Sequence, residues 1–113
     1  MGVMAGSPRK LTVILSKAAL ASLDQIWLWN AKKYGRDHAQ RYIDFLEAET
    51  SKHSTEYLTG RQVSSNPGAQ YIVIKRSRKG HGHIAVYEVV GDDVHVIDYF
   101  RTAESWEEKL DSG

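Results

Sequence analysis

The sequence predicts an α+β domain in which an antiparallel helical hairpin packs against a small antiparallel sheet. In two long segments of the first half, apolar residues recur at three- and four-residue steps, the period of amphipathic helices. The second half contains β-branched and aromatic runs separated by short turns, which is the pattern of a strand meander. The chain has 113 residues, enough for one domain and too few for two. We therefore expect a loose tail over residues 1–10 and a single domain over residues 11–113.

Composition excludes several classes of protein. With 42% apolar residues, 26% charged residues and a formal charge of +1, neither bulk disorder nor a nucleic-acid-coating tail is expected. The absence of cysteine excludes a disulfide framework, a thiolate metal site and a cysteine nucleophile. No apolar stretch has the length of a secretory signal or a membrane span. A cytoplasmic protein without a membrane partner is expected, and both Met1 and Met4 qualify as its natural start.

The N-terminal half predicts a strand followed by two helices. The β-branched run from Leu11 to Leu15 predicts the strand, and Ser16 stands where a helix N-cap is expected. Gly35 ends the first helix, and the spacing of Asp37 and Gln40 is that of a capping box for the second. Because the turn between them is so short, the two helices must be antiparallel. The residues predicted to face the core are Leu20, Leu23, Ile26, Trp27, Ala31 and Tyr34 in the first helix and Ala39, Tyr42, Ile43, Leu46, His53 and Tyr57 in the second.

Trp29 does not share the apolar face of the first helix. At about 100° per residue it lies on the far side from Leu20 and Leu23. Two interpretations stay open: another element of the fold covers the indole, or the indole marks a docking surface for a partner helix.

The C-terminal half predicts one long connection, a three-stranded meander and a short helix. Residues 58–70 contain turn signals and read as a loop, in which Arg61 is the residue best able to reach a carboxylate. The strands are predicted at 71–76, 83–90 and 94–100, with short turns between them. Ser105 to Glu108 has capping-box spacing and opens a terminal helix, where Trp106 and Leu110 lie four residues apart and can pack together.

Cations cluster in the turn that joins the first two strands of the meander. This basic turn consists of Lys75, Arg76, Arg78 and Lys79. Such a turn either keeps the edge of a sheet soluble or contacts an anionic partner, and the sequence favours neither interpretation. His81 and His83 follow, but no third ligand lies within reach in sequence, so no metal site is predicted.

The order of these elements, together with several local patterns, resembles the RelE/ParE superfamily of toxins from bacterial type II toxin-antitoxin operons. The resemblance runs from about residue 11 to residue 110. It is carried by Leu15-Ser16 with Ala19, Leu23 and Ile26-Trp27, by Tyr34-Gly35 with Ala39 and Tyr42, by Gly60-Arg61, by Pro67-Gly68 and by the strand from His83 to Tyr87.

The resemblance implies one of two activities. RelE-like members cleave mRNA on the ribosome without a metal, and ParE-like members poison DNA gyrase. Arg76 or Arg78 stands near the position of one catalytic arginine of the nucleases and Arg101 matches another, while His83 is a candidate for acid-base chemistry. The tyrosine that those enzymes use six residues beyond the second arginine is replaced here by Glu107.

The aromatic helical hairpin favours the ParE-like branch. The hypothesis is a non-enzymatic gyrase inhibitor, associated with plasmid stabilisation and neutralised by a cognate antitoxin, with no cofactor, metal or small-molecule substrate. The alternatives are a ribosome-dependent mRNA endoribonuclease and a degenerate, non-toxic member that still binds antitoxin. A deep cleft where Arg76, Arg78, His83 and Arg101 converge on a phosphate-sized spot would favour the nuclease. The candidate partner-binding residues are Trp29, Tyr34, Tyr42, Arg61, Lys75, Arg76, Arg78, Lys79 and Trp106.

Overall fold

The computed structural model describes residues 9–76 and 82–112. It confirms the predicted α+β class, with an N-terminal strand, a helical hairpin, further strands and a short C-terminal helix. The elements are β1 (Thr12–Leu15), α1 (Lys17–Tyr34), α2 (Arg36–Ser51), α3 (His53–Glu56), β2 (Arg61–Val63), β3 (Asn66–Ile74), β4 (His83–Val90), β5 (Asp93–Arg101) and α4 (Trp106–Ser112).

The strands form one five-stranded mixed sheet in the order β1-β5-β4-β3-β2. The pairs β3–β4 and β4–β5 are antiparallel, as the predicted meander requires, and β2 pairs antiparallel with β3. β1 pairs with β5 in parallel, with Leu15 opposite Val96. A register shift in the pairing of β4 with β5, between Val86 and Tyr87, changes which residues face each layer. The first strand therefore lies at one edge of the sheet and β2 at the other.

Both ends of α1 follow from single residues. The Ser16 hydroxyl accepts a hydrogen bond from the Ala19 amide at 2.9 Å and donates one to the Ile97 carbonyl at 2.6 Å. It thus caps the helix and attaches it to β5. Gly35 has a φ of +96° and its amide donates to the Ala31 carbonyl, ending the helix as predicted. The predicted capping box at Asp37 is wrong, because Gly35 itself is the N-cap of α2 and no side chain caps that helix.

The sheet buries apolar side chains on both faces. The inner core lies between the hairpin and the sheet and includes Leu23, Leu46 and Tyr87. The outer core lies on the opposite face around Val86 and Phe100 and is covered by α4. Because successive residues of β4 alternate between these cores, five consecutive positions from His83 to Tyr87 are buried. This explains why β4 reads as a continuous apolar run rather than an alternating one.

The predicted buried stripe of α1 is partly wrong. Leu20 and Tyr34 are 51% and 54% exposed, although both were expected in the core. The residues of α1 that are buried are Ala19, Leu23 and Asn30. This stripe is rotated by one residue from Leu20 to Ala19, because Ser16 anchors the start of the helix to β5 and thereby sets which side faces the sheet.

The two tryptophans of α1 lie on the sides that the sequence predicts. Trp27 packs against the inner core. Trp29 is 49% exposed, so among the described residues no other element covers it completely. The docking interpretation of Trp29 therefore stays open.

The segment predicted as one long loop contains a hairpin. β2 pairs with β3, Arg61 lying opposite Tyr71 and Gln62 opposite Gln70. The side-chain amide of Gln62 donates to the Pro67 carbonyl at 3.0 Å. A three-residue strand with two polar members leaves too little periodicity to be recognised in the sequence. Arg61 is exposed, and the structure shows no ion pair between it and a carboxylate of the described chain.

Two hydrogen bonds between side chains fasten the hairpin to β5. Ser22 donates to Asp98 at 2.5 Å, and the hydroxyls of Thr50 and Tyr99 lie 2.7 Å apart. Each bond satisfies a polar group at the boundary of the inner core, where an unpaired group is costly. The helices are thereby held at a fixed position over one end of the sheet.

Candidate functional site

A groove of about 1160 Å³ lies between the helical hairpin and one end of the sheet. We call it the hairpin–sheet groove. α1 contributes one wall through Ile26, Trp29 and Lys33, and α2 contributes Tyr42. The other wall comes from the end of β3, the start of β4 and the end of β5 with the residues that follow it. This volume can hold a molecule far larger than a phosphate.

Gly82 allows the sheet wall to form. A Cβ atom at this position would lie 2.2 Å from the Ile74 carbonyl oxygen, so only glycine permits this approach of β4 to β3. The Gly82 amide also donates to the Thr102 hydroxyl at 3.0 Å, and the Thr102 amide donates back to the Gly82 carbonyl at 3.1 Å. The start of β4 is thus fixed between its two neighbouring strands, which places His83 at the groove.

Tyr42 and His83 form a neutral hydrogen-bonded pair in the groove. The Tyr42 hydroxyl lies 2.6 Å from Nδ1 of His83. Burial, assisted by the positive charge of Arg101, lowers the pKa of His83 from 6.5 to about 4. Burial raises the pKa of Tyr42 to about 12, against the opposing effect of Arg76. At neutral pH the pair therefore carries no charge and links α2 to β4.

Two guanidinium groups flank this pair. His83 lies opposite Ile74 on β3 and opposite Arg101 on β5, and Arg76 follows two residues after Ile74. The Arg76 guanidinium carbon lies 5.9 Å from the centre of the Phe45 ring. Arg101 Nε is 4.0 Å from a carboxylate oxygen of Glu104, which Lys109 contacts more closely at 2.7 Å.

The charges that line the groove are unequal. Lys33, Arg76 and Arg101 are cationic, whereas Glu104 is the one carboxylate among the lining residues of the described chain. The ion pairs and hydrogen bonds that Glu104 makes with Lys109 and Arg101 hold the pKa of its carboxyl below its usual value, although burial opposes this. The groove therefore has a net positive charge that suits an anionic occupant.

The tip of the hairpin presents exposed aromatic rings at the groove. The rings of Trp29 and Tyr34 meet edge to face with their centres 6.2 Å apart. The centres of the Tyr34 and His38 rings are 4.7 Å apart. The Lys33 ammonium lies 4.8 Å from the centre of the Trp29 ring. A half-exposed aromatic cluster of this kind offers a large apolar contact area at little entropic cost, as in protein interfaces.

The structure brings together some of the predicted site residues and separates others. Arg78 and Lys79 lie outside the described residues. Lys75 and Arg61 are exposed and do not line the groove, and Trp106 packs in α4 against Tyr71 and the outer core. The predicted residues that line the groove are Trp29, Tyr34, Tyr42, Arg76, His83 and Arg101.

Sequence reasoning missed several polar residues of the groove, among them Lys33, His38 and Glu104. Lys33 lies four residues after Trp29 on the same helix, so the helical period contained a signal for it. His38 begins the next helix beyond the turn and reaches the groove only because the hairpin is antiparallel. Glu104 follows β5 and carried no signal, because its position depends on how the chain leaves the sheet.

Within residues 9–76 and 82–112, no group of three metal-ligating side chains comes together. In the same part of the chain, no helix combines the length and the hydropathy that a bilayer crossing needs. The arrangement can bind an anionic group and pack apolar surface beside it.

The fold of the chain is similar to that of a solved structure. A solved chain described as the chromosomal ParDE TA system from P. aeruginosa superposes with a TM-score of 0.71 at 17% sequence identity, covering 81% of this chain and 96% of that one. No curated protein sequence matches the chain. At this identity the superposition shows a shared fold.

Residues 13–106 match the family described as ParE toxin of type II toxin-antitoxin system, parDE. The match extends from β1 to the start of α4 and so spans nearly the whole fold. The chain therefore belongs to the ParE toxin family, and membership of a toxin-antitoxin system implies a cognate antitoxin.

Proposed function

We propose that this protein inhibits DNA gyrase by binding, in the cytoplasm, and that a cognate antitoxin neutralises it. Membership of the ParE toxin family over residues 13–106 carries this proposal. The shape of the molecule supports it, because the hairpin tip offers exposed Trp29 and Tyr34 beside an open groove. Such a surface suits contact with a macromolecule better than the enclosure of a small substrate.

On this proposal the toxin performs no covalent step. It binds the gyrase state in which DNA is cleaved more tightly than the other states, and the population shifts toward that state. A shift of this kind requires differential affinity, and about 100-fold corresponds to roughly 2.7 kcal/mol. The DNA breaks are then made by the gyrase itself.

The experiment is a supercoiling assay with purified gyrase and toxin. We expect supercoiling to stall and cleavage complexes to accumulate. Trp29→Ala and Tyr34→Ala should each raise the toxin concentration needed by roughly tenfold, the usual cost of losing an aromatic anchor. Leu58→Ala is the matched control, since Leu58 is 70% exposed and does not line the groove. Unimpaired supercoiling at saturating wild-type toxin would exclude gyrase inhibition.

A second candidate function is supported by the convergence of Arg76, His83 and Arg101 at one groove. In a metal-independent RNA cleavage, the neutral imidazole would accept the proton of the ribose 2′-hydroxyl as its oxygen attacks the phosphorus, and the guanidiniums would stabilise the pentavalent phosphate. The P–O5′ bond would then break, leaving a 2′,3′-cyclic phosphate and a 5′-hydroxyl that takes its proton from the imidazolium or from water. Against this interpretation, the groove is wide, and His83 is only 9% exposed with its Nδ1 engaged by the Tyr42 hydroxyl.

Induction of the toxin in cells separates the candidates. Gyrase inhibition predicts a DNA-damage response with intact ribosome-bound mRNA. The nuclease predicts arrested translation and cleaved mRNA, both lost in Arg101→Ala while the folded structure persists. A degenerate member that only binds antitoxin predicts normal growth.

A further inference from the structure

We propose that the hairpin tip, residues 29–38 where α1 turns into α2, contacts the DNA at the step that gyrase has cut. Lys32 and Arg36 lie on backbone phosphates, and Trp29 and Tyr34 stack on the opened bases. The inference rests on the proposed function, that the toxin binds gyrase with cleaved DNA. It goes further because it names the molecule that the tip touches and the reason that the cleaved state binds the toxin more tightly.

The tip concentrates cations that have no carboxylate partner. Residues 29–38 contain Lys32, Lys33 and Arg36 against one carboxylate, Asp37. All three cations are exposed, and none of them forms an ion pair with a carboxylate of the described chain. Two further guanidiniums line the groove beside the tip. Because proteins hold DNA through several phosphate contacts at once, this clustering suits a nucleic acid backbone.

Aromatic rings alternate with these cations. Trp29 is 49% exposed and Tyr34 is 54% exposed, and their rings meet edge to face. His38 adds a third ring, whose centre lies 4.7 Å from that of Tyr34. The Lys33 ammonium lies 4.8 Å from the centre of the Trp29 ring, so it covers one face of an indole that is still half exposed. Exposed rings set among cations are the arrangement by which proteins hold unstacked bases.

A break in the DNA backbone supplies the differential affinity that the proposed function needs. In an intact duplex each base is stacked on both sides, so a protein ring must unstack a step before it can contact the face of a base. Where the backbone is broken the step opens at lower cost, as it does at damaged or unpaired bases. The cations contact phosphates in either state and add affinity without preference. Trp29 and Tyr34 therefore provide the preference for cleaved DNA.

The composition of the tip disfavours an acidic protein surface as its target. Two of the three cations beside the rings are lysines, and lysine is depleted at protein interfaces. Contacts to a phosphate backbone use lysine and arginine alike. A protein partner would need carboxylates matched to three separate cations, whereas a DNA strand carries a negative charge at every nucleotide.

The first test measures by fluorescence anisotropy how purified toxin binds a labelled DNA duplex, either intact or with a short single-stranded gap. Wild-type toxin should bind the gapped duplex roughly fivefold to a hundredfold more tightly, the usual gain from stacking a base on an aromatic ring. Trp29→Ala and Tyr34→Ala should each reduce this preference and change the affinity for intact duplex less. Leu28→Ala is the matched control, because Leu28 is 47% exposed on the same helix and does not line the groove.

Salt dependence isolates the contribution of the cations. Lys32→Ala and Arg36→Ala should weaken binding to both duplexes equally, and each should lower the slope of log affinity against log salt concentration by about one. Lys17→Ala is the control, since Lys17 is exposed at the opposite end of α1. Circular dichroism verifies that every variant is folded.

Three results of these binding measurements overturn the proposal. The first is equal affinity of wild-type toxin for the gapped and the intact duplex, or binding to neither. The second is a loss of preference in Leu28→Ala as large as that in Trp29→Ala. The third is a salt slope that Lys32→Ala and Arg36→Ala leave unchanged.

Crosslinking tests the contact within the gyrase assembly. Tyr34 and, as the control, Leu28 are each replaced by the photoreactive p-benzoylphenylalanine, and the toxin is irradiated with gyrase and labelled DNA under cleavage conditions. Position 34 should crosslink to DNA, and position 28 should not. A crosslink from position 34 to the gyrase protein alone, or to neither molecule while supercoiling is inhibited, contradicts the proposal.

These results distinguish the inference from the proposed function. Toxin that inhibits gyrase but crosslinks only to its protein contradicts the inference and leaves gyrase inhibition standing. Toxin that prefers gapped DNA through Trp29 and Tyr34 without inhibiting gyrase supports the DNA contact of the tip and excludes gyrase as the target.

Discussion

The Tyr42–His83 pair lies between the helical hairpin and the sheet, and a hydrogen bond of 2.6 Å joins the two side chains. Burial is the main reason that the pKa values of both groups move away from their ordinary values and keep both groups neutral. A buried polar pair of this kind is stable only while both members keep their protonation states. The stability of the fold should therefore depend on pH through His83.

We expect the free energy of unfolding to fall as the pH drops below about 6.5. The folded protein holds the pKa of His83 at about 4, whereas the unfolded chain has the ordinary 6.5. The unfolded chain thus takes up the proton first, so this contribution is complete above pH 6.5 and is lost toward pH 4. The difference between the two pKa values corresponds to about 3 kcal/mol of unfolding free energy. Urea unfolding at a series of pH values measures it, and His83→Gln should flatten this part of the profile; equal slopes for both proteins would contradict the assignment.

Gly60 shows a second constraint at the residue scale. A Cβ atom there would lie 2.1 Å from the Tyr87 hydroxyl oxygen. That hydroxyl is buried and donates to the Tyr57 carbonyl at 2.7 Å, so it cannot move without losing its partner. Gly60→Ala should lower the free energy of unfolding by about 1–3 kcal/mol, the usual cost of overpacking.

Gly68→Ala is the control for this substitution. Its Cβ would lie 3.5 Å from the Asn66 side-chain oxygen, an ordinary contact. Its stability should stay within about 0.5 kcal/mol of the wild type. Equal losses of unfolding free energy in the two alanine variants would show that position 60 requires glycine for its backbone flexibility and not because of the contact with Tyr87.

At the scale of elements, the first residues of α1 decide how the hairpin meets the sheet. The Ser16 hydroxyl caps the helix and also bonds to β5, so one side chain fixes both the start of α1 and its rotation. Rotation of the buried stripe then leaves Leu20 and Tyr34 exposed and turns Trp29 toward the groove. The aromatic end of the candidate site is a consequence of this attachment.

Ser16→Ala should lower the free energy of unfolding by about 1–2 kcal/mol, because it removes an N-cap and a hydrogen bond between elements. Ser51→Ala is the control, since Ser51 is exposed at the end of α2. Thermal or urea unfolding of the two variants measures the difference. A loss for Ser16→Ala no greater than that for Ser51→Ala would contradict the role of the cap.

The whole molecule has two cores that share their strands. In β4, Ala85 and Tyr87 belong to the inner core, while Ile84 and Val86 belong to the outer core. Neither core can come apart without disturbing the strand that both use. The hairpin, the sheet and α4 should therefore unfold together, as small single domains usually do.

Tryptophan fluorescence tests this cooperativity. Variants that keep only Trp27 report on the inner core, and variants that keep only Trp106 report on α4 over the outer core. With the other tryptophans replaced by phenylalanine, each variant should show the same urea midpoint by fluorescence as by circular dichroism. A lower midpoint for the Trp106 signal would mean that α4 detaches before the sheet unfolds.

Most of the fold was predictable because its signals are local. The period of α1 and α2, the Ser16 cap, the Gly35 stop and the short turns of the meander each depend on a few neighbouring residues. The exceptions depend on distant contacts. β2 is recognisable only when it is paired with β3, and the exposure of Leu20 depends on how α1 is attached to β5.

By itself, the sequence determined the α+β class and the hairpin, since periodicity, capping and turn chemistry are encoded within short segments. The superfamily was indicated by the resemblance of its residue patterns to a known group of toxins. The tertiary structure alone decided that Tyr42, Arg76, His83 and Arg101 lie at one groove with Trp29. These residues come from three strand ends and two helices, and no pattern in the sequence measures the distance between such ends. Strand register and helix rotation bring them together, and both are set by packing between segments far apart in the chain.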